Sequence, residues 1–523
     1  MTRLLPAAAM LAVVTIYALR LDRAAGLIVD DAWYIVLAKA IAQGDGFRLI
    51  SSAVTPIMPV VPPGFPLLLA PVFIVSPQFP DNVLLLKAVS IAAMIAAGAV
   101  FYCYLFRYRG ISAGHASGMA LATVLTPAFV FLATSTVMAE CVFTLAQLVT
   151  VVVLERSGRT ATTASQSRHA ALAGVVAAAT VLTRTAGVAM LAAGGLYLLK
   201  ERAWRRLATF AGAALVCLVP WLAYSMTHAP TAAESGAHGG SIAYAYSDLL
   251  SMRRPGEPAA GRSGVGDLPA RVAGNVVNVF GRDVGGLFVP AFFRGPDESG
   301  QEVVALGGTA GLVGASMGSA RGTMVVSFIL SALVLVGFVG GVRRGVTAAE
   351  ILLAVSVAMI LLVPGRTFRY LLPLAPFLWI YFADGLRTIA IGRAAVVRVA
   401  MICLIALQVQ EHAQYVLLKM RSAPAPEWLE DQREVDDLLS WMNSNLAGEG
   451  AVATTNPGLV FLRTGRKTVA SEDPARNRDR WKASGVRYLV SLRTIAAPST
   501  RLGMTKLYDS PRRRLFVIEL SDP

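Results

Sequence analysis

Long apolar blocks without charged residues recur along most of this sequence, and short clusters of Lys and Arg separate them. A helix that crosses the hydrocarbon core of a bilayer needs about 20 mostly apolar residues, and several blocks approach that length. Only 15% of the 523 residues are charged, whereas soluble domains carry about 25%. The mean hydropathy of +0.59 agrees with this difference. The sequence therefore predicts a polytopic α-helical membrane protein.

The basic clusters indicate the topology, because cytoplasmic loops of membrane proteins are enriched in Lys and Arg. With a cytoplasmic N-terminus, the basic clusters at 107–109, 156–159, 200–206 and 343–344 all fall on the cytoplasmic side. Blocks and charges together predict about 11 transmembrane helices. We expect a membrane domain over residues 1–415 that includes outer loops at 30–80 and 227–320.

The first block, the third span and the hairpin around Arg184 are interpreted as follows from their lengths and flanking residues. The first block, from Leu4 to about Leu19, is interpreted as a retained span, and a cleaved signal peptide is the alternative because small residues follow it. The third span is expected from about His115 to Phe131. The hairpin around Arg184 has short apolar arms, so a pair of spans and a re-entrant segment both stay open.

The composition changes to that of a soluble domain from about Pro424. An amphipathic helix is predicted from Val435, Leu438, Leu439 and Met442. Strands are predicted at 451–453, 488–490 and 516–518. This alternation of helix and strand predicts a small extracytoplasmic α/β domain over residues 424–523.

The formal net charge of +15 does not indicate nucleic-acid binding, because the basic residues form short clusters between apolar blocks. Membrane lipids with anionic headgroups, and phosphates, are the expected partners. The four cysteines lie in or beside apolar blocks and form no ligand motif. His228, Glu234 and His238 match no strong metal motif and are interpreted as an ordinary loop. We find no phosphate-binding loop for nucleotides, so the sequence does not support nucleotide-driven transport.

Carboxylates mark the outer side of the predicted membrane domain. Asp30 and Asp31 follow the first span, and Glu140 opens the fourth block. An acid within an apolar block is energetically costly and is a candidate for function, although it can also reach the interface or pair with an arginine. Asp30 is also a reasonable N-cap for the following helix, which would leave Asp31 unexplained.

Arg184, Arg366 and Arg369 fall on the outer side as well, where the charge rule for loops does not favour them. A guanidinium group suits a phosphate or phosphodiester because its planar N–H donors match two oxygens. Pairing with an internal acid such as Glu140, or contact with lipid headgroups, is the alternative for each of them.

Four features in this order resemble a known superfamily: Asp30–Asp31, the segment 62–69 (PPGFPLLL), Glu140, and the segment 369–373 (RYLLP). The sequence is similar to polyprenyl-phosphate-sugar-dependent glycosyltransferases of the GT-C superfamily, which include protein O-mannosyltransferases and aminoarabinose transferases. The resemblance implies transfer of one sugar from a polyprenyl phosphate to an acceptor outside the membrane, with inversion. It also implies the inner membrane of a bacterium, with the C-terminal domain in the periplasm.

The resemblance assigns roles to these residues. Asp30 is expected to be the general base, with Asp31 as its substitute, and Glu140 would orient the acceptor or help to hold a metal. The phosphate of the donor would contact Arg184, Arg366, Arg369 and Tyr370. No cofactor is certain, and since the use of a divalent metal varies in the superfamily, the metal stays unknown. The acceptor, whether lipid, glycan or protein, is not specified.

Two other functions stay open. A transporter or flippase for lipid-linked sugars would use charged residues to line a pathway across the membrane. Such proteins often have two similar halves, and we detect no internal repeat; the acids singled out above also gather on one side. A structural membrane protein would use the same charges only as caps and anchors.

Overall fold

The computed structural model describes residues 4–52, 55–230, 251, 253, 261–289, 320–364, 367–391, 393–420, 427–446, 448, 450–470, 481, 485–492, 504–510 and 515–520. Arg366, Glu234 and His238 lie outside the described residues. A helical body with several apolar helices carries a small five-stranded sheet at its C-terminal end. This agrees with the predicted fold class.

The N-terminal half of the body is helical. Its helices are α1 (Leu4–Arg20), α2 (Val29–Gln43), α3 (Gly64–Val75), α4 (Val83–Cys103), α5 (Ala113–Val124), α6 (Pro127–Thr134), α7 (Glu140–Ser157), α8 (Thr163–Thr183), α9 (Val188–Lys200) and α10 (Trp204–His228). A π-helical turn, Tyr104–Tyr108, extends α4.

The C-terminal half continues with helices and then the sheet. The helices are α11 (Leu268–Asn278), α12 (Val284–Phe288), α13 (Ala320–Arg344), α14 (Ala348–Leu362), α15 (Phe368–Leu371), α16 (Ala375–Ile389), α17 (Ala394–Met420), α18 (Glu427–Asn445) and α19 (Pro457–Thr464). The strands are β1 (Ala451–Thr454), β2 (Thr468–Ala470), β3 (Val486–Ser491), β4 (Met504–Asp509) and β5 (Phe516–Leu520).

Four helices in the described part of the chain are long and apolar enough to cross a membrane, and a fifth is counted if one bent pair forms a single span. The four are Val83–Tyr108, Trp204–His228, Gly322–Arg344 and Ala394–Met420. Several further apolar helices, α1, α3 and α14 among them, are shorter. The structure therefore supports a multi-pass membrane protein but does not confirm eleven spans.

The third predicted span is bent. In place of one helix from His115 to Phe131, α5 and α6 meet at an angle of 54°. Thr126, the second of the two residues between them, has an extended ψ of 121° because Pro127 follows it. Proline disfavours the helical conformation in the preceding residue, and its missing N–H suits the first turn of a new helix.

A buried ion pair fixes the segment that leads to α2. Lys87, on α4, lies 2.9 Å from Asp22 Oδ1, and both side chains are almost fully buried. The Lys87 ammonium group also donates to the Thr134 carbonyl oxygen at 2.8 Å. Ser135 and Tyr415 donate to the other oxygen of Asp22 at 2.6 and 3.2 Å. The buried charges are thus paired and hydrogen-bonded, as burial in a membrane protein requires.

The sheet has the strand order β2-β1-β3-β5-β4. Strands β1, β2 and β3 are parallel, whereas β5 pairs antiparallel with both β3 and β4. The three predicted strands are β1, β3 and β5, and the structure adds β2 and β4. Helix α18 is the predicted amphipathic helix, since Val435, Leu438 and Met442 are buried.

The sheet and its helices contact the outer loops of the helical body. Thr468 at the start of β2 donates its N–H to the Ser51 carbonyl oxygen at 2.7 Å. Lys467 donates to the carbonyl oxygen of Ile50 at 2.8 Å. Helix α19 packs on α2, the helix that begins with the two aspartates. The C-terminal part of the chain therefore lies directly against the loop that carries the candidate acids.

Candidate functional site

Arg369 joins two of the predicted acids. Its Nη1 atom lies 2.8 Å from Asp30 Oδ2, while its Nε and Nη2 atoms lie 2.9 Å from Glu140 Oε1. The side chain of Glu140 is fully buried, whereas that of Asp30 is 40% exposed. Residues that are more than 100 positions apart in sequence thus meet at one guanidinium group.

Arg184 contacts the same glutamate. Its Nη1 atom lies 2.5 Å from Glu140 Oε1. This contact is an ion pair and not a hydrogen bond, since Arg184 Nη1 has no hydrogen-bond partner among the described residues. Glu140 Oε2, the other carboxylate oxygen, has none among them either. The guanidinium carbon of Arg184 lies 5.8 Å from the centre of the Tyr370 ring. We call Asp30, Glu140, Arg184 and Arg369 the charge cluster. It contains two carboxylate and two guanidinium side chains.

Breaks between helices place these side chains. Arg184 lies at the C-cap of α8, where an extended backbone and a 3-10 turn, Thr185–Gly187, separate α8 from α9. Gly64 packs so closely on this region that an added Cβ would lie 2.6 Å from the carbonyl oxygen of Leu182. The Pro-Pro-Gly-Phe segment therefore has a packing role beside Arg184. Glu140 begins α7, and Arg369 belongs to the single turn α15.

The two aspartates have different surroundings. Asp31 is fully buried, and its Oδ2 accepts the N–H of Gly26 at 2.8 Å, while its Oδ1 has no hydrogen-bond partner among the described residues. Burial raises the pKa of the Asp31 carboxyl to about 8, so this group is mostly protonated at neutral pH. Asp30 instead faces Arg369. Of the two, Asp30 is the acid that lies in the charge cluster.

The capping interpretation of Asp30 is wrong. Helix α2 begins at Val29 and its N-cap is Ile28, which makes no side-chain cap. Asp30 therefore lies inside the first turn, where a negative charge is still favourable. Its side chain is directed to Arg369 and not to the backbone of its own helix.

Tyr34 is a residue that the sequence analysis did not select. It lies one helical turn after Asp30 on α2, so both side chains share a face. The ring packs edge-on against Phe65 at a centroid distance of 5.0 Å. Its hydroxyl interacts electrostatically with Arg184, Glu140, Asp30 and Arg369, and burial raises its pKa above the usual range. The spacing of four residues from Asp30 was the signal available in the sequence.

Two further buried acids, which the sequence analysis did not select, lie far from the charge cluster. Glu155 lies about 22 Å from Glu140 along α7 and accepts the Tyr104 hydroxyl at 3.1 Å. Glu350 pairs with Arg109 at 3.0 Å and accepts the Tyr381 hydroxyl at 2.7 Å. Both glutamates are buried and bonded to protein groups, which is typical of structural pairs.

The charge cluster does not fit a divalent cation. Oxygen ligands from several acids are what Mg²⁺ or Ca²⁺ requires, but here Arg369 lies between Asp30 and Glu140. Among the described residues no group of three His, Cys, Asp or Glu side chains could hold a metal ion. His228 stacks on Tyr224 at a centroid distance of 4.5 Å. We therefore derive no step through a metal.

Several solved membrane glycosyltransferases are similar to this chain in structure. The oligosaccharyltransferase from Archaeoglobus fulgidus, in complex with Zn and sulfate, aligns over 92% of this chain and 67% of its own at 14% identity, with a TM-score of 0.55. The arabinofuranosyltransferase AftD from Mycobacteria aligns over 100% of this chain and 40% of its own at 11% identity, with a TM-score of 0.50. ArnT from Cupriavidus metallidurans, bound to undecaprenyl phosphate, aligns over 99% of both chains at 13% identity, with a TM-score of 0.47.

The fold class follows from the first two structures. No protein-family model and no curated protein matches the sequence. The chain nevertheless has the fold of GT-C glycosyltransferases, which confirms the resemblance predicted from its motifs. At 11–14% identity the likeness shows the fold alone.

Proposed function

We propose that this protein is an inverting glycosyltransferase that moves a single sugar from a polyprenyl-phosphate donor to an acceptor on the extracytoplasmic face. The charge cluster is the observation that carries the proposal. It combines an accessible carboxylate, Asp30, with two arginines at one place in a GT-C fold. A sugar-phosphate displacement needs these two kinds of group, a base for the acceptor and positive charge for the leaving phosphate.

The donor phosphate is assigned to the arginines. Arg184 Nη1 forms an ion pair with Glu140 Oε1 at 2.5 Å but makes no hydrogen bond to the described residues, and the Arg184 side chain is only 11% exposed. A phosphate oxygen would accept a charge-assisted hydrogen bond from this guanidinium group. Tyr370, beside Arg184, and Arg366, outside the described residues, are proposed as further contacts. An archaeal oligosaccharyltransferase, AglB, that shares this fold at a TM-score of 0.50 was solved with a dolichol-phosphate, which supports this donor class.

The acceptor is proposed to bind next to Asp30. The Asp30 carboxylate is partly exposed, and Arg369 binds one of its oxygens, so the carboxylate has a fixed direction and remains accessible. Glu140 lies behind Arg369 and keeps it in place through two contacts of 2.9 Å. In this arrangement Glu140 orients the base through Arg369, and its free Oε2 is available to an acceptor or donor hydroxyl.

The reaction would proceed as one displacement. The acceptor oxygen forms a bond to the anomeric carbon while its proton passes to Asp30. The bond between the anomeric carbon and the phosphate oxygen breaks on the opposite face, which inverts the configuration. The bonding electrons leave with the polyprenyl phosphate, whose increased negative charge is stabilised by Arg184 and Arg369.

A transporter would need polar groups along the depth of the membrane. Buried Glu155 and Glu350 do lie at the far end of the body, but each is bonded to protein partners. Two of the buried polar atoms that lack a hydrogen-bond partner among the described residues, Arg184 Nη1 and Glu140 Oε2, lie in the charge cluster, while others, such as those of Arg20 and Gln408, lie elsewhere in the body. Because Glu155 and Glu350 are held by protein groups while the Asp30 carboxylate is accessible, the arrangement favours a reaction at the charge cluster over a pathway.

The proposal includes a location. We infer a multi-pass protein of a bacterial inner membrane, with residues 1–415 as the membrane domain and 424–523 as a periplasmic domain. The basic ends of α4, α7 and α13 support this orientation, since positive charge favours the cytoplasmic side.

The test is sugar transfer by the purified protein. Radiolabelled polyprenyl-phosphate-sugars are incubated with membrane extracts as acceptors, using wild type, Asp30→Asn and Asp45→Asn. Asp45 is an exposed acid just beyond α2 and serves as the matched control. We expect Asp30→Asn to reduce the rate by about 10²–10⁴-fold and Asp45→Asn to retain it. Intact wild-type protein that transfers sugar from none of the donors, or full activity in Asp30→Asn, would contradict the proposal.

A further inference from the structure

The N-terminus of α2 is held by a residue from the C-terminal part of the chain. Asn456 Nδ2 donates to the Gly26 carbonyl oxygen at 2.7 Å. Gly26 in turn donates its N–H to Asp31 Oδ2 at 2.8 Å. We propose that Asn456 is a positioning residue for the acid helix, so that the C-terminal domain fixes the direction of the Asp30 carboxylate. The inference rests on the proposed function.

The two segments pack closely, with a glycine on each side. Gly26 has a φ of +88°, and a Cβ at this position would lie 2.7 Å from Leu459 Cδ1. A Cβ on Gly458 would lie 2.8 Å from the Cβ of Ala32. Glycine at both positions therefore allows α19 to lie directly on the start of α2.

Asn456 performs two tasks with one side chain. Its Oδ1 accepts the N–H of Leu459 at 3.2 Å and thereby caps α19. Its Nδ2 holds Gly26, and the residue is only 4% exposed. A movement of α19 is therefore transmitted to Gly26 without a flexible linker between them.

The connection reaches the charge cluster in two further steps. The N–H of Gly26 binds the side chain of the buried Asp31. Asp31 belongs to the same helical turn as Asp30. Asp30 meets Arg369 at 2.8 Å from that turn. A rotation of the first turn of α2 would change this contact, and displacements of about 1 Å in a reacting group can cost up to 10²-fold in rate.

Nearby contacts dock the domain but do not reach Gly26. Gln432 Oε1 accepts the N–H of Ala25 at 3.2 Å, and Lys467 and Thr468 contact residues 50 and 51. These contacts keep the domain in place when the Asn456 amide is removed. Loss of that amide should therefore change the alignment of α2 without releasing the domain.

The experiment compares Asn456→Ser with Asn445→Ser in the full-length protein. Serine at 456 keeps an oxygen for the cap of α19 but cannot reach Gly26, so the variant is designed to fold. Asn445 is exposed on α18 and bonds only to Trp441 of its own helix among the described contacts. The readouts are kcat and KM for sugar transfer, and amide hydrogen exchange in the peptide 24–34.

We expect Asn456→Ser to lower kcat by about tenfold with KM for the donor unchanged, and to speed exchange in peptide 24–34 by about tenfold. Asn445→Ser should change neither. Unchanged kcat in Asn456→Ser would overturn the inference, whether or not the exchange rate rises. Absence of transfer by wild type would instead refute the proposed function, and exchange alone would then decide whether Asn456 holds α2.

Discussion

Replacing Glu140 by Gln would leave a buried arginine without its acid. Arg369 would retain Asp30 at 2.8 Å, but Arg184 would lose the carboxylate that lies 2.5 Å from it. Removing one partner of a buried ion pair costs about 3–5 kcal/mol. Arg184→Gln should cost less, because Glu140 keeps its two contacts with Arg369. Together the two substitutions should be less destabilising than the sum of the single effects, by about 1–3 kcal/mol.

The assay is unfolding in mixed micelles with increasing amounts of a denaturing detergent, followed by circular dichroism. Glu201→Gln is the control, because Glu201 and Lys200 form an exposed pair with side chains 37% and 45% accessible. Exposed pairs contribute about 0–1 kcal/mol. The reasoning is refuted if Glu140→Gln costs no more than Glu201→Gln, or if the effects of Glu140→Gln and Arg184→Gln simply add.

The remaining predictions concern Asp31 and the orientation. Burial raises the pKa of folded Asp31 to about 8. The contribution of this group to stability is therefore complete below about pH 4 and falls as the pH rises to about 8. Asp31→Asn stays neutral and can still accept the N–H of Gly26, so this variant should lose less stability between pH 5 and pH 8, measured as the unfolding midpoint at each pH. The orientation is tested in intact spheroplasts, with variants that lack the native cysteines. A membrane-impermeant maleimide should label Asn445→Cys but not Arg344→Cys. Equal labelling of the two would contradict the orientation.

The periodic features of the fold were predictable from the sequence, and its irregular ones less so. Basic clusters coincide with the ends of α4, α7 and α13 because each follows an apolar helix. Pro127 was a signal for the bend between α5 and α6, but it lies within a continuous apolar block that favours a single straight span. The number of spans could not be read from hydropathy, since helices such as α3 and α14 are apolar but short.

The members of the charge cluster were predictable one by one, because charges in apolar surroundings are costly. Their pairing was not, since it depends on how α2, α7 and α15 pack. The difference between Asp30 and Asp31 also required the structure: neighbouring residues on a helix point in different directions. Lys87 borders an apolar block in the sequence, and its partner Asp22 lies in a short polar connection, so neither indicates a buried pair.

The most direct test of the central claim distinguishes bond cleavage from movement of an intact lipid. Proteoliposomes containing wild-type protein are given a polyprenyl-phosphate-sugar that carries label in both the lipid and the sugar, together with a membrane extract as acceptor. The account predicts free polyprenyl phosphate in an amount equal to the sugar transferred, with loss of both in Asp30→Asn. Transfer of the intact, doubly labelled donor to the other leaflet without cleavage would contradict it.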